Sequence, residues 1–218
     1  MTTGKRLAGE ALGTALLLAI VVGSGIMGQR LSGGNDALAL LANSIATGAG
    51  LVALILVFGP VSGAHFNPVV TLCDAALGNR PWKDVPGYVA AQFAGAIIGV
   101  AMAHAMFDLP LFAASAHART GAAQWWSEIV ATFGLVLVVF ACVRSKTMFT
   151  PFAVGLYITA AYWFTASTSF ANPAVTLARS LTDTFAGIRP DDVAGFVVAQ
   201  LIGALAGLAL VRWMLPGR

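Results

Sequence analysis

The segment Asp84–Gly99, DVPGYVAAQFAGAIIG, returns 108 positions later as Asp192–Gly207, DVAGFVVAQLIGALAG, with nine of sixteen residues identical. A second pair, NPVVTL at Asn67–Leu72 and NPAVTL at Asn172–Leu177, repeats at an offset of 105. A weaker third pair sets Glu10 and Thr14 against Glu128 and Thr132. All three pairs come in the same order, so the chain is an internal duplication. Any fold must therefore be assembled from two equivalent halves.

What each half contains follows from composition. Hydrophobic residues make up 58% of the 218 and charged residues 10%, whereas a soluble domain carries roughly 25% charged. This excludes a solvated globular domain, and disorder needs the opposite bias. The apolar runs are long and continuous, not alternating as in a membrane barrel. A spanning helix needs about 20 apolar residues. The sequence predicts six spans, near Leu7–Gly28, Ala37–Phe58, Asp84–Phe107, Trp125–Val143, Phe149–Ala166 and Val193–Leu215, with no room for a further soluble domain. The run after Lys5 and Arg6 reads as the first span and not as a cleaved signal, because Glu10 interrupts its start and no small-residue cleavage site ends it. The organisation is one membrane domain over residues 1–218, with repeats at about 5–107 and 123–215. Three spans per half is an odd number, so the second half must be inverted relative to the first. In such arrangements the working site lies near the midplane, where the halves meet.

Charge sets the orientation. One side holds Lys5, Arg6, Arg80, Lys83, Arg144, Lys146, Arg212 and Arg218, and the other Arg30, Arg119, Arg179 and Arg189. Eight against four predicts that both termini are cytoplasmic, and the expected location is the plasma (inner) membrane. A net charge of +3 fits this topology and gives no sign of a nucleic-acid partner. Cys73 and Cys142 have neither disulfide nor metal-ligand spacing, so no metal site and no cofactor are expected.

Each Asn-Pro lies between the second and third span of its half. Asn is a strong N-cap and Pro suits the first helical position. Asn67-Pro68 and Asn172-Pro173 therefore each predict the start of a short helix of about ten residues, or about 15 Å, half a bilayer. Two such half-helices entering from opposite faces meet end to end. Backbone of this kind is tolerated at membrane depth only where protein buries it or it lines a watery cavity.

SGAHFNPVVTL and STSFANPAVTL, with Glu10, Glu128, Gln92 and Gln200 in the repeat frame, resemble the aquaporin (major intrinsic protein) family over essentially the whole chain. The resemblance implies an all-α fold of six transmembrane helices and two re-entrant half-helices. It also implies a pore in each protomer and a homotetramer in the lipid bilayer. Asn67, Pro68 and Val69 with Asn172, Pro173 and Ala174 are the pore motifs. The Asn side chains are expected to cap their helices and turn both amide NH₂ groups to the lumen. With two helix N-termini, each worth about half a positive charge, they oppose cations and protons.

The departures from the family pattern concern selectivity. Val69 stands where Ala is usual. Val175 stands where the family carries an Arg that lines a narrow outer filter. By spacing, the other filter positions are Thr47, Ser169 and either Ala160 (ungapped) or Tyr162 (with a two-residue gap). The set is small or hydroxylic and suggests a wider filter than a strict water channel's. Arg179, one turn after Val175, either reaches the pore mouth or pairs with Asp183. Asp74, its counterpart, pairs with Arg80 or Lys83. His65 resembles the family's pore-side histidine, with a loop-held His as the alternative. His104 and His117 read as bystanders. Glu10 and Glu128 are expected to brace the loops before the half-helices. Gly95, Gly99, Gly203 and Gly207 form small-xxx-small packing faces.

The expected function is a passive channel for water, glycerol-like polyols and other small neutral solutes, with neutral metalloid hydroxides such as arsenite as a candidate class, excluding protons and ions. A secondary transporter with inverted repeats is the alternative, but it would need acids at the midplane. No catalytic constellation suggests an enzyme.

Overall fold

The computed structural model describes residues 1–215, so Arg218 in the charge tally lies outside the described residues. The elements are α1 (Thr3–Leu31), α2 (Asp36–Ser62), α3 (Pro68–Ala76), a 3₁₀ turn (Trp82–Asp84), α4 (Val85–Met106), α5 (Ala122–Ser145), α6 (Thr150–Phe164), α7 (Pro173–Arg179) and α8 (Pro190–Met214). All described secondary structure is helical. The first half is α1–α4 and the second α5–α8, and each runs long, long, short, long in its own frame, except that α6 is short.

Five segments are long and apolar enough to cross a membrane: α1, α2, Trp82–Met106, α5 and α8. The chain is therefore a multi-pass membrane protein. The fifth expected span is the exception. α6 has 15 residues, about 22 Å at 1.5 Å each, and ends before the expected Ala166. Its end has a local cause. Thr165 is extended (φ −113°, ψ 137°), and its hydroxyl donates to the Ala161 carbonyl at 2.6 Å, which closes the last turn. α2, by contrast, continues past Phe58 to Ser62 and tolerates Pro60 within it.

Helix contacts are made by the glycines. In α4, a Cβ on Gly95 or Gly99 would run into the carbonyl oxygens of Ala11 and Ala15 in α1. In α8, a Cβ on Gly203 or Gly207 would meet the carbonyls of Ile129 and Phe133 in α5. Both faces pack backbone against backbone, as expected. A third approach is central. Gly48 of α2 and Gly155 of α6 oppose each other, and a Cβ on either would lie 2.8 or 2.6 Å from the other's carbonyl oxygen. This contact joins the two halves and frames the space in which the half-helices meet.

Candidate functional site: a lumen between two half-helices

The half-helices are built from their loops. Residues 63–66 and 168–171 repeat the same backbone. Ala64 (φ 51°) and Phe66 (φ 50°) match Ser169 (φ 51°) and Ala171 (φ 46°), all left-handed without being glycine. Each such residue costs of order 1–3 kcal/mol and persists only where its surroundings fix it. Two buried glutamates supply that restraint. Glu10 accepts from the backbone N–H groups of His65 (3.0 Å) and Phe66 (2.7 Å), the Ser62 hydroxyl (2.6 Å) and the Gln92 amide (2.8 Å). Glu128 accepts from Phe170 (2.8 Å), Ala171 (2.8 Å), the Ser167 hydroxyl (2.6 Å) and the Gln200 amide (2.6 Å). The same amides of Gln92 and Gln200 also donate to Thr71 and Thr176, at 2.9 and 2.8 Å. Neither glutamate lines the lumen.

Asn67 and Asn172 cap α3 and α7. The Asn67 side-chain oxygen accepts from Val69 N at 3.0 Å, and that of Asn172 from Ala174 N at 3.0 Å and Val175 N at 3.3 Å. Pro68 and Pro173 occupy the first helical positions. The half-helices have nine and seven residues, about 14 and 10 Å, somewhat shorter than expected. The amide NH₂ groups are only partly free for the lumen. Asn67 Nδ2 donates to the Ala171 carbonyl and Asn172 Nδ2 to the Phe66 carbonyl, both at 2.8 Å. Each Asn thus spends one N–H tying the two halves together, which leaves one for a passing solute.

A cavity of about 140 Å³ runs past both Asn residues. Its apolar wall includes Leu17, Val21, Leu51, Leu135, Val139 and Ile158. Toward one end it is lined by Thr47, Tyr162, Ser169, Phe170, Val175 and Arg179, and toward the other by His65, Asp74, Val143 and Thr150. Tyr162 is the α6 residue that lines this first end of the lumen, 3.3 Å from the Thr47 hydroxyl. Ala160 is exposed on the outside of the bundle. Two positions on a helix are about 200° apart, so only one of this pair can face the cavity, and it is Tyr162. The Ser169 hydroxyl is buried without a partner, and Val175 is buried beside it. Val69 and Ala174 are fully buried in their half-helices and do not line the cavity.

The two mouths differ. At one, Asp74 lies 3.3 Å from both Arg80 Nε and His65 Nε2, and accepts from Asn79 at 3.1 Å. His65 Nδ1 is 3.0 Å from the Thr71 hydroxyl. His65 is thus both at the lumen and held by its loop. At the other mouth the expected Arg179–Asp183 pair is not made. α7 ends at Arg179, so the i,i+4 geometry is lost, and Asp183 accepts instead from Ala116 N at 2.9 Å. Arg179 is 2% exposed. Its Nε donates to the Ala186 carbonyl, and its guanidinium lies 3.4 Å from the Phe170 ring centre.

Three residues were missed by sequence reasoning. Arg119, between α4 and α5, reaches into this mouth, donating to the carbonyls of Gly187 (2.8 Å), Ser167 (3.3 Å) and Phe185 (3.5 Å). Burial pulls its guanidinium down to about 10, still protonated at neutral pH. His104 is no bystander. It lies 2.5 Å from the Pro110 carbonyl and 2.6 Å from the Thr182 hydroxyl, fastening the same loop to the turn after α7. Phe170 had a signal, since the 105 offset sets it against His65. Arg119 had none, because it lies between the two repeats, and His104 had none, because the 108 offset sets it against Arg212. Among the described residues no group of three or more His, Cys, Asp or Glu side chains could hold a metal ion, and both cysteines are free thiols.

Inverted halves, two capped half-helices meeting head to head and a lumen along their N-termini define a channel of the aquaporin architecture. Comparison with known proteins agrees. The sequence profile of the major intrinsic protein family matches residues 1–165 and 145–218. The chain is 61% identical over 215 residues to the aquaglyceroporin AqpS of Rhizobium meliloti (strain 1021), covering 98% of this chain and 92% of that one. It is 33% identical over 213 residues to aquaporin NIP2-1 of Zea mays, covering 93% and 68%. Among solved structures, the aquaglyceroporin from Plasmodium falciparum superposes with a TM-score of 0.77 at 22% identity, over 96% of both chains. The chain belongs to the major intrinsic protein family. It is a channel for small neutral solutes and not an enzyme.

Proposed function

We propose that the chain is a passive channel for water, glycerol-like polyols and neutral metalloid hydroxides such as arsenite. In this reading it excludes protons and ions, and works as a homotetramer in the plasma (inner) membrane with both termini cytoplasmic. The observation that carries it is Val175 on the lumen wall. A branched aliphatic chain fills less of the passage than a guanidinium on a three-carbon stem and offers no donor. Around it, Thr47, Tyr162 and Ser169 supply hydroxyls, so a solute with oxygen on one side and an apolar back is matched on both. The similarity to a protein named as an aquaglyceroporin supports the same solute class. Asn67 and Asn172 form the central restriction, His65 and Arg179 belong to the two mouths, and Glu10 and Glu128 brace the loops. The last point weighs against a coupled carrier, because both acids have their oxygens occupied by four donors.

Osmotic-shock light scattering of proteoliposomes with water, glycerol, urea and arsenite tests the reading. The parent is expected to pass the larger solutes. Val175→Arg adds five donors and a fixed charge, and is expected to cut polyol and arsenite flux strongly while sparing water. An Arg variant that keeps its oligomer on size exclusion yet conducts all four solutes like the parent removes Val175 from the constriction.

A further inference from the structure

Two residues at each mouth are related by the 105 offset. Arg179 occupies the place of Asp74, and Phe170 that of His65. Even the flanking arginines correspond in function. Arg80 donates to the Ser62 carbonyl at 3.0 Å and Arg119 to the Ser167 carbonyl at 3.3 Å. The charge balance does not correspond. The carboxylate of Asp74 is matched by Arg80. Arg179 has no carboxylate within ion-pair distance among the described residues, and its neighbour Arg119 adds a second positive charge.

Beside this mouth lies a further cavity of about 300 Å³, lined by Asn43, His117, Arg119, Trp163, Thr168 and Arg179 among others. Arg179 lines both this vestibule and the lumen, so it stands at their junction. Its Nε is used, its face is stacked on Phe170, and its two terminal nitrogens donate to no protein group among the described residues. An almost fully buried guanidinium without a counter-ion is costly unless something accepts from it. Among the described residues the single carboxylate lining the vestibule is Asp36, exposed at the start of α2, and the nearby Asp192 is already paired with Arg189 at 3.0 Å.

We propose that this vestibule is a binding site for a small oxyanion, held on the free edge of the Arg179 guanidinium, and that an anion bound there blocks the passage of neutral solutes. A guanidinium edge presents two parallel N–H groups to two oxygens of one acceptor, which favours tetrahedral or planar oxyanions over halides. Phe170 fixes the plane of the fork, and Arg119 draws the anion in. Occupancy closes the channel because Arg179 is shared by vestibule and lumen.

The proposal rests on the reading of the pore as a neutral-solute channel, and the test separates the two. Glycerol flux into proteoliposomes is measured with sulfate on both sides, against a bulky sulfonate of matched ionic strength. Flux without sulfate reports the channel, and its loss on adding sulfate reports the site. Saturable block in the millimolar range is expected, about tenfold weaker in Arg179→Gln, since a charge-assisted fork is replaced by a neutral amide. Arg179→Lys, which keeps the charge but not the fork, should fall between. Sulfate titration of intrinsic fluorescence in detergent gives an independent readout through Trp163, with Trp163→Phe removing the signal. This readout needs only the parent fold, so it stands even where Arg179→Gln does not assemble. Parent glycerol flux unchanged by sulfate, or block and fluorescence responses identical in a folded Arg179→Gln, overturns the proposal.

Discussion

Replacing Glu128 by Gln changes one oxygen to an NH₂ and nothing else in shape. The Glu128 carboxylate receives four donors and sits at 0% exposure, so the new amide group must face at least one of them. Its best placement turns the NH₂ toward Ser167, whose hydroxyl can rotate to accept. Phe170 N–H shares that oxygen and is orphaned. One buried unsatisfied N–H costs about 1–3 kcal/mol. The bonds that survive become neutral and lose roughly half their strength. Relief of the desolvation of a buried carboxylate offsets part of this. A net loss of about 2–3 kcal/mol is expected. It falls on Phe170 and Ala171, the residues that set the left-handed backbone before Asn172, so flux should drop more than assembly. The assay is thermal unfolding in detergent beside glycerol flux in proteoliposomes, with Glu10→Gln as the equivalent perturbation of the other half. A Glu128→Gln protein with parent-like melting and parent-like flux refutes the bracing argument.

Two other outcomes follow from the geometry. A Cβ on Gly13 would run into the Phe66 ring, which is 1% exposed and cannot move aside, so Gly13→Ala should destabilise by about 1–3 kcal/mol. The corresponding positions of the second half are Ala131 and Ala171, packed in one cluster. Gly13→Ala combined with Phe66→Ala should therefore cost less than the sum of the two, and additivity in the double-mutant cycle counts against the contact. His117 is an exposed residue held below the ordinary histidine value by partial desolvation first, then by Arg119 and Arg179. The unfolded chain takes up that proton first as pH falls below about 6.5. Stability contributed by neutral His117 is therefore full above that pH and lost as pH falls toward the lowered native value. Melting temperature should decline over that window, and His117→Asn should flatten the decline.

The fold was legible because the duplication constrains it. Two copies of Asn-Pro in one frame force two equivalent helix starts, and an odd number of spans forces inversion. Helix ends were less legible. α6 stops at Phe164 because the Thr165 hydroxyl competes for a backbone carbonyl, and no apolar count registers that. The Asn67 and Asn172 caps follow from local chemistry, but the bonds to Ala171 and Phe66 depend on how the halves dock. The choice between Ala160 and Tyr162 was open for the same reason, since an insertion of two residues moves a helix position to the opposite face. Arg119 was invisible because its loop has no counterpart in the repeat.

Duplication also explains where selectivity can vary. The centre is constrained from both sides, since each Asn caps its own helix and donates to the opposite loop. A substitution there therefore removes interactions from both halves at once. The mouths carry no such reciprocal bond. Each is closed by its own flanking arginine and its own residue at the Asp74 or Arg179 position, so one mouth can change without disturbing the other. The chain has used that freedom at one end. Asp74 with Arg80 gives a balanced mouth, and Arg179 on Phe170 with Arg119 gives a cationic one. Val175 brings no cation to the lumen wall, and Arg179 carries one a turn further along α7. It lines both the lumen and the vestibule beside it, so that end of the cavity carries a charge without a larger side chain at Val175.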